Sequence, residues 1–300
     1  MKKFWRDNEH FADLFNAYFF NGEKIIKPEE LQEADTDVSG TLNKKSLSND
    51  YQKALDVVKK SAYGMDFVIL GLENQQKIHY AMPLRIMQGD VMLYMKEYNE
   101  IQKEHKKNPD ETSGEFLSKF KKTDRLHPVI TICVYYGEEE WDGPRCLADM
   151  LKIPDKMETL ISDYKMNLLE IKKSENMNFN DLQVRAVFEI TRSIYQKDFS
   201  KINEKYSDVE LDPEVGLLVG SITNTQSLVN QALLAKKEGG RFNMCTAMKE
   251  FEMESTKKGV NDFAEMLQWL RRAGRRDDAE KAIDDPKYRD KMFEEYYKIK

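Results

Sequence analysis

The stretch Asp66-Phe-Val-Ile-Leu-Gly-Leu-Glu73 constrains this chain more than any other. A strand with one wet face alternates polar and apolar residues, but here both alternating sets are apolar from Phe67 to Leu72. Such a strand has to be covered on both sides, which places it centrally in a sheet lying between two layers. His127-Pro-Val-Ile-Thr-Ile-Cys-Val-Tyr-Tyr136 has the same character and is closed by Gly137. Leu55 to Lys60 reads as a further strand, joined to the first by a Gly-containing turn, and another strand is expected at Asp163 to Ile171.

The covering layers show as helical periodicity. Phe11, Leu14, Phe15, Tyr18 and Phe19 recur at the spacing of a buried stripe, predicting a helix from about Asp7 to Phe20 that Asn21-Gly22 ends. Lys27 to Leu31 reads as a short helical turn with Pro28 near its start, and Ala34 to Asn49, rich in Asp, Ser, Thr, Gly and Asn, as a surface loop. A long helix is predicted from about Pro83 to Glu104, with Leu84, Met87, Val91, Tyr94, Tyr98 and Ile101 as its apolar stripe. A short helix follows at Pro144 to Leu151. Beyond Asn176 the pattern is helical nearly to the end, most clearly at Phe179 to Tyr195, Val215 to Leu234 and Met244 to Lys257. The expected fold is therefore α/β: a mixed central sheet flanked by helices over residues 1–172, then a helical C-terminal region over 173–300.

Composition narrows the class of function. With 40% hydrophobic and 33% charged residues the chain has the balance of a folded, highly charged, helix-leaning protein. Its most apolar long stretch, Val215 to Leu234, is broken by Ser221, Thr223, Asn224, Thr225, Gln226 and Asn230, so no membrane span is expected. Met1-Lys-Lys-Phe-Trp-Arg6 lacks the apolar segment of a secretory signal, and Cys133, Cys146 and Cys245 form no pair at disulfide-framework or zinc spacing. Both observations fit a cytoplasmic protein. The net charge of −6 argues against a protein that coats nucleic acid without specificity, but leaves room for local basic patches beside a carboxylate site.

The chemistry-bearing residues lie around the first two strands. If a two-residue turn at Gly64-Met65 joins them, Tyr63 pairs with Asp66, Lys60 with Ile69 and Asp56 with Glu73. Opposed residues share a face with Cβ atoms roughly 4.5–5.5 Å apart, and Gln75 follows Glu73 on that face. Two opposed carboxylates repel unless a cation sits between them, and Mg²⁺ takes such oxygen ligands together with water and phosphate oxygens. Against this stands the plainer reading of acids solvated at strand ends.

The order helix, strand with Asp, strand with Glu, helix, strand resembles the PD-(D/E)XK nuclease core. Several stretches are similar to the Rpn family of recombination-promoting nucleases and transposases. They are Phe11-Ala-Asp-Leu-Phe-Asn16, Asp56-Val-Val-Lys-Lys60, Ile69-Leu-Gly-Leu-Glu-Asn-Gln75, His79-Tyr-Ala-Met-Pro-Leu-Arg85, Val134-Tyr-Tyr-Gly137 and Trp141-Asp-Gly-Pro144. Met244-Cys-Thr-Ala-Met-Lys-Glu250 is similar to a stretch of its bacterial members. The resemblance implies a Mg²⁺- or Mn²⁺-dependent DNA endonuclease linked to recombination or transposition, with Asp56 and Glu73 as metal ligands. The third catalytic position, usually Lys, is Gln75 here, an amide that still holds water by hydrogen bonds. Lys77, two residues further along, is a substitute cation. Asp13, or Glu9 one turn earlier, would assist through water, and Arg85 and Gln88, on one face of the long helix, would meet phosphate or orient Glu73. The plain reading of Glu9, Asp13 and Arg85 is a solvated helix surface.

Other signals carry less. His10, His79, His105 and His127 form no pair at metal-ligand spacing, and no Gly-rich phosphate loop is present. Lys103, His105, Lys106, Lys107, Lys119, Lys121, Lys122 and Arg125 make one region locally basic, suited to a DNA backbone or merely to solvent. Arg271, Arg272, Arg275 and Arg276 sit beside Asp277, Asp278 and Glu280 and are mixed rather than basic. Trp141, Tyr135 and Tyr136 are expected in the core. Two other classes of function stay open: a weakened module on the same fold that binds nucleic acid or protein without cutting, and an interaction protein self-associating through an apolar face at Leu217 to Leu234.

Overall fold

In the computed structural model the described residues are 1–34, 57–61, 66–71, 78–105 and 112–299. Two short helices open the chain, α1 (Lys2–Arg6) and α2 (Asn8–Phe20). Asp7 caps α2 by accepting from the backbone N–H groups of Glu9 and His10, and Asn21 closes it in the left-handed conformation. α1 was not expected. Its Phe4 and Trp5 are buried, and Trp5 Nε1 donates to Tyr136 Oη at 2.9 Å.

The sheet has strands β1 (Leu31–Glu33), β2 (Val57–Ser61), β3 (Asp66–Gly71), β4 (Val129–Tyr135) and β5 (Asn167–Glu170), in that spatial order. β1 to β3 pair antiparallel, whereas β3, β4 and β5 run parallel. The first parallel step is made by the crossover helix α3 (Met82–His105). The central strand expected from its double apolar character is indeed third of five.

Two expectations about this region are corrected. Lys60 pairs with Asp66, not Ile69, and Val57 with Ile69. Five residues, 61–65, therefore separate the closing pair, so the two-residue turn at Gly64-Met65 does not set the register. The buried face of α3 is also rotated from the predicted stripe. Met82, Ile86, Gly89, Asp90 and Leu93 are buried, while Leu84 and Val91 are 50% and 46% exposed. The apolar periodicity pointed elsewhere because the true inner face carries a carboxylate. Asp90 accepts from Thr131 Oγ1 of β4 at 2.5 Å and from the Tyr164 hydroxyl, which ties α3 to the sheet.

One sheet face, through Val58, Cys133 and Tyr135, packs with Met82, Ile86, Leu93, Trp141 and Met166. The other, through Val57, Ile132, Val134 and Leu169, packs with Phe11, Leu14 and Phe15 of α2 and with Val184, Val187 and Phe188 of α5 (Leu182–Tyr195). That second core continues through α6 (Phe199–Tyr206), α7 (Pro213–Ile222) and α8 (Gln226–Lys237) to Met244, Ala247 and Met248 of α9 (Met244–Arg272). It therefore runs across residue 172, and the helical half helps to cover the sheet. Val215, Leu218, Val219 and Leu228 are consumed by this core, leaving Leu233 and Leu234 as the exposed leucines of the stretch 217–234. Beyond it α9, about 43 Å long at 1.5 Å per residue, leads to a small separate core. Here Met266 and Leu270 meet Ala279 and Ala282 of α10 (Arg276–Asp284) and Met292 of α11 (Pro286–Ile299). No helix among the described residues is long and apolar enough to cross a membrane.

Candidate active site

Antiparallel pairing brings the beginning of β2 and the end of β3 to one edge of the sheet, since Val57 lies opposite Ile69. In the sequence Asp56 immediately precedes β2, and Glu73, Gln75 and Lys77 follow β3. All four lie outside the described residues, so the proposed metal pair has neither a distance nor a face assigned. The observed register, with Val57 opposite Ile69, also removes the pairing of Asp56 with Glu73 that a two-residue turn would have made.

The same edge is built further by β4 and β5, whose ends align with β3: Gly71 pairs with Val134, and Tyr135 with Glu170. Carboxyl ends of parallel strands are where open α/β sheets place ligand sites. Glu170, nearly buried, accepts from Arg145 Nη2 at 2.6 Å and ion-pairs with Lys173 at 3.1 Å. Burial would raise its carboxyl, but the bonds from Arg145 and Lys173 outweigh that and hold it below the ordinary range. Trp141, which donates its backbone N–H to Glu170 at 3.3 Å, is buried as expected, along with Tyr135 and Tyr136. The Tyr135 hydroxyl has no hydrogen-bond partner among the described residues. Gly137 makes room for that ring, since a Cβ there would lie 2.1 Å from the hydroxyl. Tyr80 donates to Asp142 at 3.3 Å across the mouth of this edge. The Trp141-Asp-Gly-Pro144 stretch marked the region in the sequence, but nothing there linked it to Tyr80, Arg145 or Glu170.

From the start of α3, Arg85 and Gln88 are half-buried. Arg85 makes no side-chain hydrogen bond or ion pair among the described residues, yet its charge reaches two neighbours. It adds to the burial that lowers His79, and it opposes the burial that pushes the Cys133 thiol up to about 12. His79 accepts from the backbone N–H of Ala81, a local structural role. Cys133 and Cys146 are free thiols.

The first-helix acids stand differently from expectation. Asp13 is not on a solvated face. It is 6% exposed, and its two oxygens accept from the backbone N–H groups of Asn180 at 2.8 Å and Asp181 at 3.1 Å. It thereby fastens α2 to the start of α5, and burial raises its pKa despite those bonds. Glu9 is exposed in the first turn of α2, a favourable place for negative charge. Among the described residues no group of three His, Cys, Asp or Glu is placed to hold a metal ion.

The family described as "Putative transposase, YhgA-like" matches residues 58–212, just over half the chain. The chain belongs to this family. The match begins in β2, takes in β3, α3, β4, β5 and α5, and ends at the short strand β6 (Glu210–Leu211). It thus also joins the sheet to the first helices of the second half, as the shared core does. No curated protein and no solved structure matches the chain.

Proposed function

We propose that this YhgA-like chain is a Mg²⁺-dependent endonuclease that hydrolyses DNA phosphodiester bonds in transposition or recombination. The observation that carries the reading is the combination of the transposase-family match with the arrangement of elements around β2 and β3. A helix, α2, precedes antiparallel strands, and the crossover α3 then leads to the parallel strand β4. That order resembles the PD-(D/E)XK core, which supports the reading. It brings to one edge the strand ends that Asp56 and Glu73 flank in the sequence.

In this reading Asp56 and Glu73 hold the metal and Gln75 positions the attacking water. Carboxylates are the hard oxygen donors that Mg²⁺ and Mn²⁺ prefer, and the bound ion supplies an activated water and a polarised phosphoryl group. Arg85, half-buried and without a carboxylate partner among the described residues, supplies a cation for a phosphate at the same edge, with Gln88 beside it. Asp13 is left out of this set because its oxygens are engaged by backbone N–H groups.

A second reading is favoured by one observation: Gln75 stands where the resembling nucleases carry Lys. The chain would then bind DNA without cutting it. Supercoiled plasmid incubated with the full chain and Mg²⁺ or Mn²⁺ separates the two. Nicking abolished by chelator, by Glu73→Ala and by Asp56→Ala supports hydrolysis, and Gln75→Lys should then raise the rate. Retention of the plasmid without nicking supports the second reading.

A further inference from the structure

Residues 112–125 form a cross-linked excursion at the far end of α3. Thr112 and Glu115 make a reciprocal capping box at the start of α4 (Ser113–Ser118), and the other Glu115 oxygen accepts from the backbone N–H of Lys122 at 3.0 Å. The Ser118 hydroxyl lies 2.9 Å from the Gly114 carbonyl and 3.0 Å from that of Phe120, one of which takes its single proton, while Tyr98 of α3 donates to the Ser118 carbonyl at 2.6 Å. Asp124 accepts from the backbone N–H of Lys121 at 2.6 Å. On this braced platform two consecutive large apolar side chains point outward: Phe116 is 74% exposed and Leu117 85%.

The charges around the tip are sorted. Both acids of the segment are engaged within it: the Thr112 hydroxyl, then the backbone N–H groups of Lys122 and Thr112, hold Glu115 down at about 2, and Asp124 meets the Lys121 N–H and, at 3.4 Å, His105 Nε2. Lys119, Lys122 and Arg125 are exposed and make no ion pair among the described residues. An apolar tip inside a basic collar has two halves, each matching one part of a duplex. Apolar side chains wedge between base steps and unstack them, while lysines and arginines take the flanking phosphates.

The geometry points to Phe116 and Leu117 as a wedge that enters duplex DNA, with Lys119, Lys122 and Arg125 gripping the backbone on either side. This assignment rests on the reading that the ligand is DNA, though not on the reading that it is cut. Position supports it. Tyr94 of α3 accepts from the Val129 N–H at the beginning of β4, and the Tyr98 contact with the platform lies one turn further along. The wedge thus sits at the opposite end of the sheet from the proposed catalytic edge. Helices cover both faces of the sheet, so a duplex reaches the wedge from outside this core and not along the strands.

The test uses the full chain in chelator, where nothing is cut, with a duplex carrying 2-aminopurine at successive steps. Wild type should raise 2-aminopurine fluorescence at one or two adjacent steps. The double variant F116A/L117A should abolish that rise and weaken binding about tenfold, with an unchanged dependence of affinity on salt. K119A/K122A should instead flatten the slope of log affinity against log salt by about two. These side chains are exposed, and an unchanged thermal midpoint confirms that the variants fold. The inference is overturned if wild type gives no unstacking, or if F116A/L117A unstacks and binds like wild type. It is also overturned if the variants lose sedimentation with phosphatidylserine vesicles while keeping DNA binding, since the tip is then a membrane contact. Nicking without unstacking removes the wedge alone; unstacking without nicking removes the hydrolytic reading alone.

Discussion

Asp90 offers the sharpest test of how the two halves of the β3–α3–β4 crossover are held together. It is 3% exposed inside an apolar cluster, and burial raises its carboxyl from the ordinary 3.8 to about 6 despite the bonds from Thr131 and Tyr164. Its folded-state value lies above its unfolded one, so the fold holds the protonated acid better than the carboxylate. The stabilisation this provides is fully present below about pH 4 and is lost as pH rises through about 6. At 1.36 kcal/mol per tenfold change in proton affinity, the swing amounts to about 3 kcal/mol. Asp90→Asn removes the titration, and the Thr131 and Tyr164 hydroxyls can rotate to suit an amide. Urea unfolding of both proteins should be measured between pH 4 and pH 8. The stability of Asp90→Asn relative to wild type should rise by about 3 kcal/mol across that window. Tyr164→Phe, which removes one donor to the carboxylate, should extend the wild-type loss to higher pH. Parallel curves for wild type and Asp90→Asn would refute the reasoning, because the buried carboxyl would then not be titrating against the fold.

Further outcomes follow from single contacts. Gly137→Ala should destabilise by about 1–3 kcal/mol in urea titrations, since the new Cβ overlaps the Tyr135 ring. Asp13→Ala leaves the backbone N–H groups of Asn180 and Asp181 without their acceptor, and should lose about 1–3 kcal/mol while retaining nicking under conditions where it is folded. Abolished nicking with unchanged stability would show instead that Asp13 acts in the chemistry. Arg85→Ala should weaken DNA binding and reduce the salt slope by about one, with little change in the unfolding midpoint; an unaltered slope would place Arg85 away from the nucleic acid.

Much of the architecture was legible because it is local. The double-sided apolar run at Phe67 to Leu72 indicated a central strand, and β3 lies third of five. Asn21 ends α2 as its residue type suggests. The stretch from Val215 to Leu234 looked like one helix but is two, with Asn224 at φ 53° in the break. The short helix at 144–151 is reduced to a single turn at Ala148–Met150. In the candidate site, the strand ends that carry the acids could be chosen from the pattern, but the register could not. Turn length, not periodicity, sets which residues face each other, and the loop proved longer than the shortest Gly turn.

By itself, the sequence determined the central strands and the longer helices, though not α1 or β1, and which acids flank β2 and β3, since propensity and periodicity act over a few residues. Only the tertiary structure decided which polar residues are buried and what they do. Asp13 finds its donors 167 residues away, and Asp90 finds its own 41 and 74 residues on. A carboxylate's burial depends on partners brought across the sheet by the fold. No local pattern encodes that meeting, which is why the inner face of α3 and the task of Asp13 emerged only once the chain was assembled.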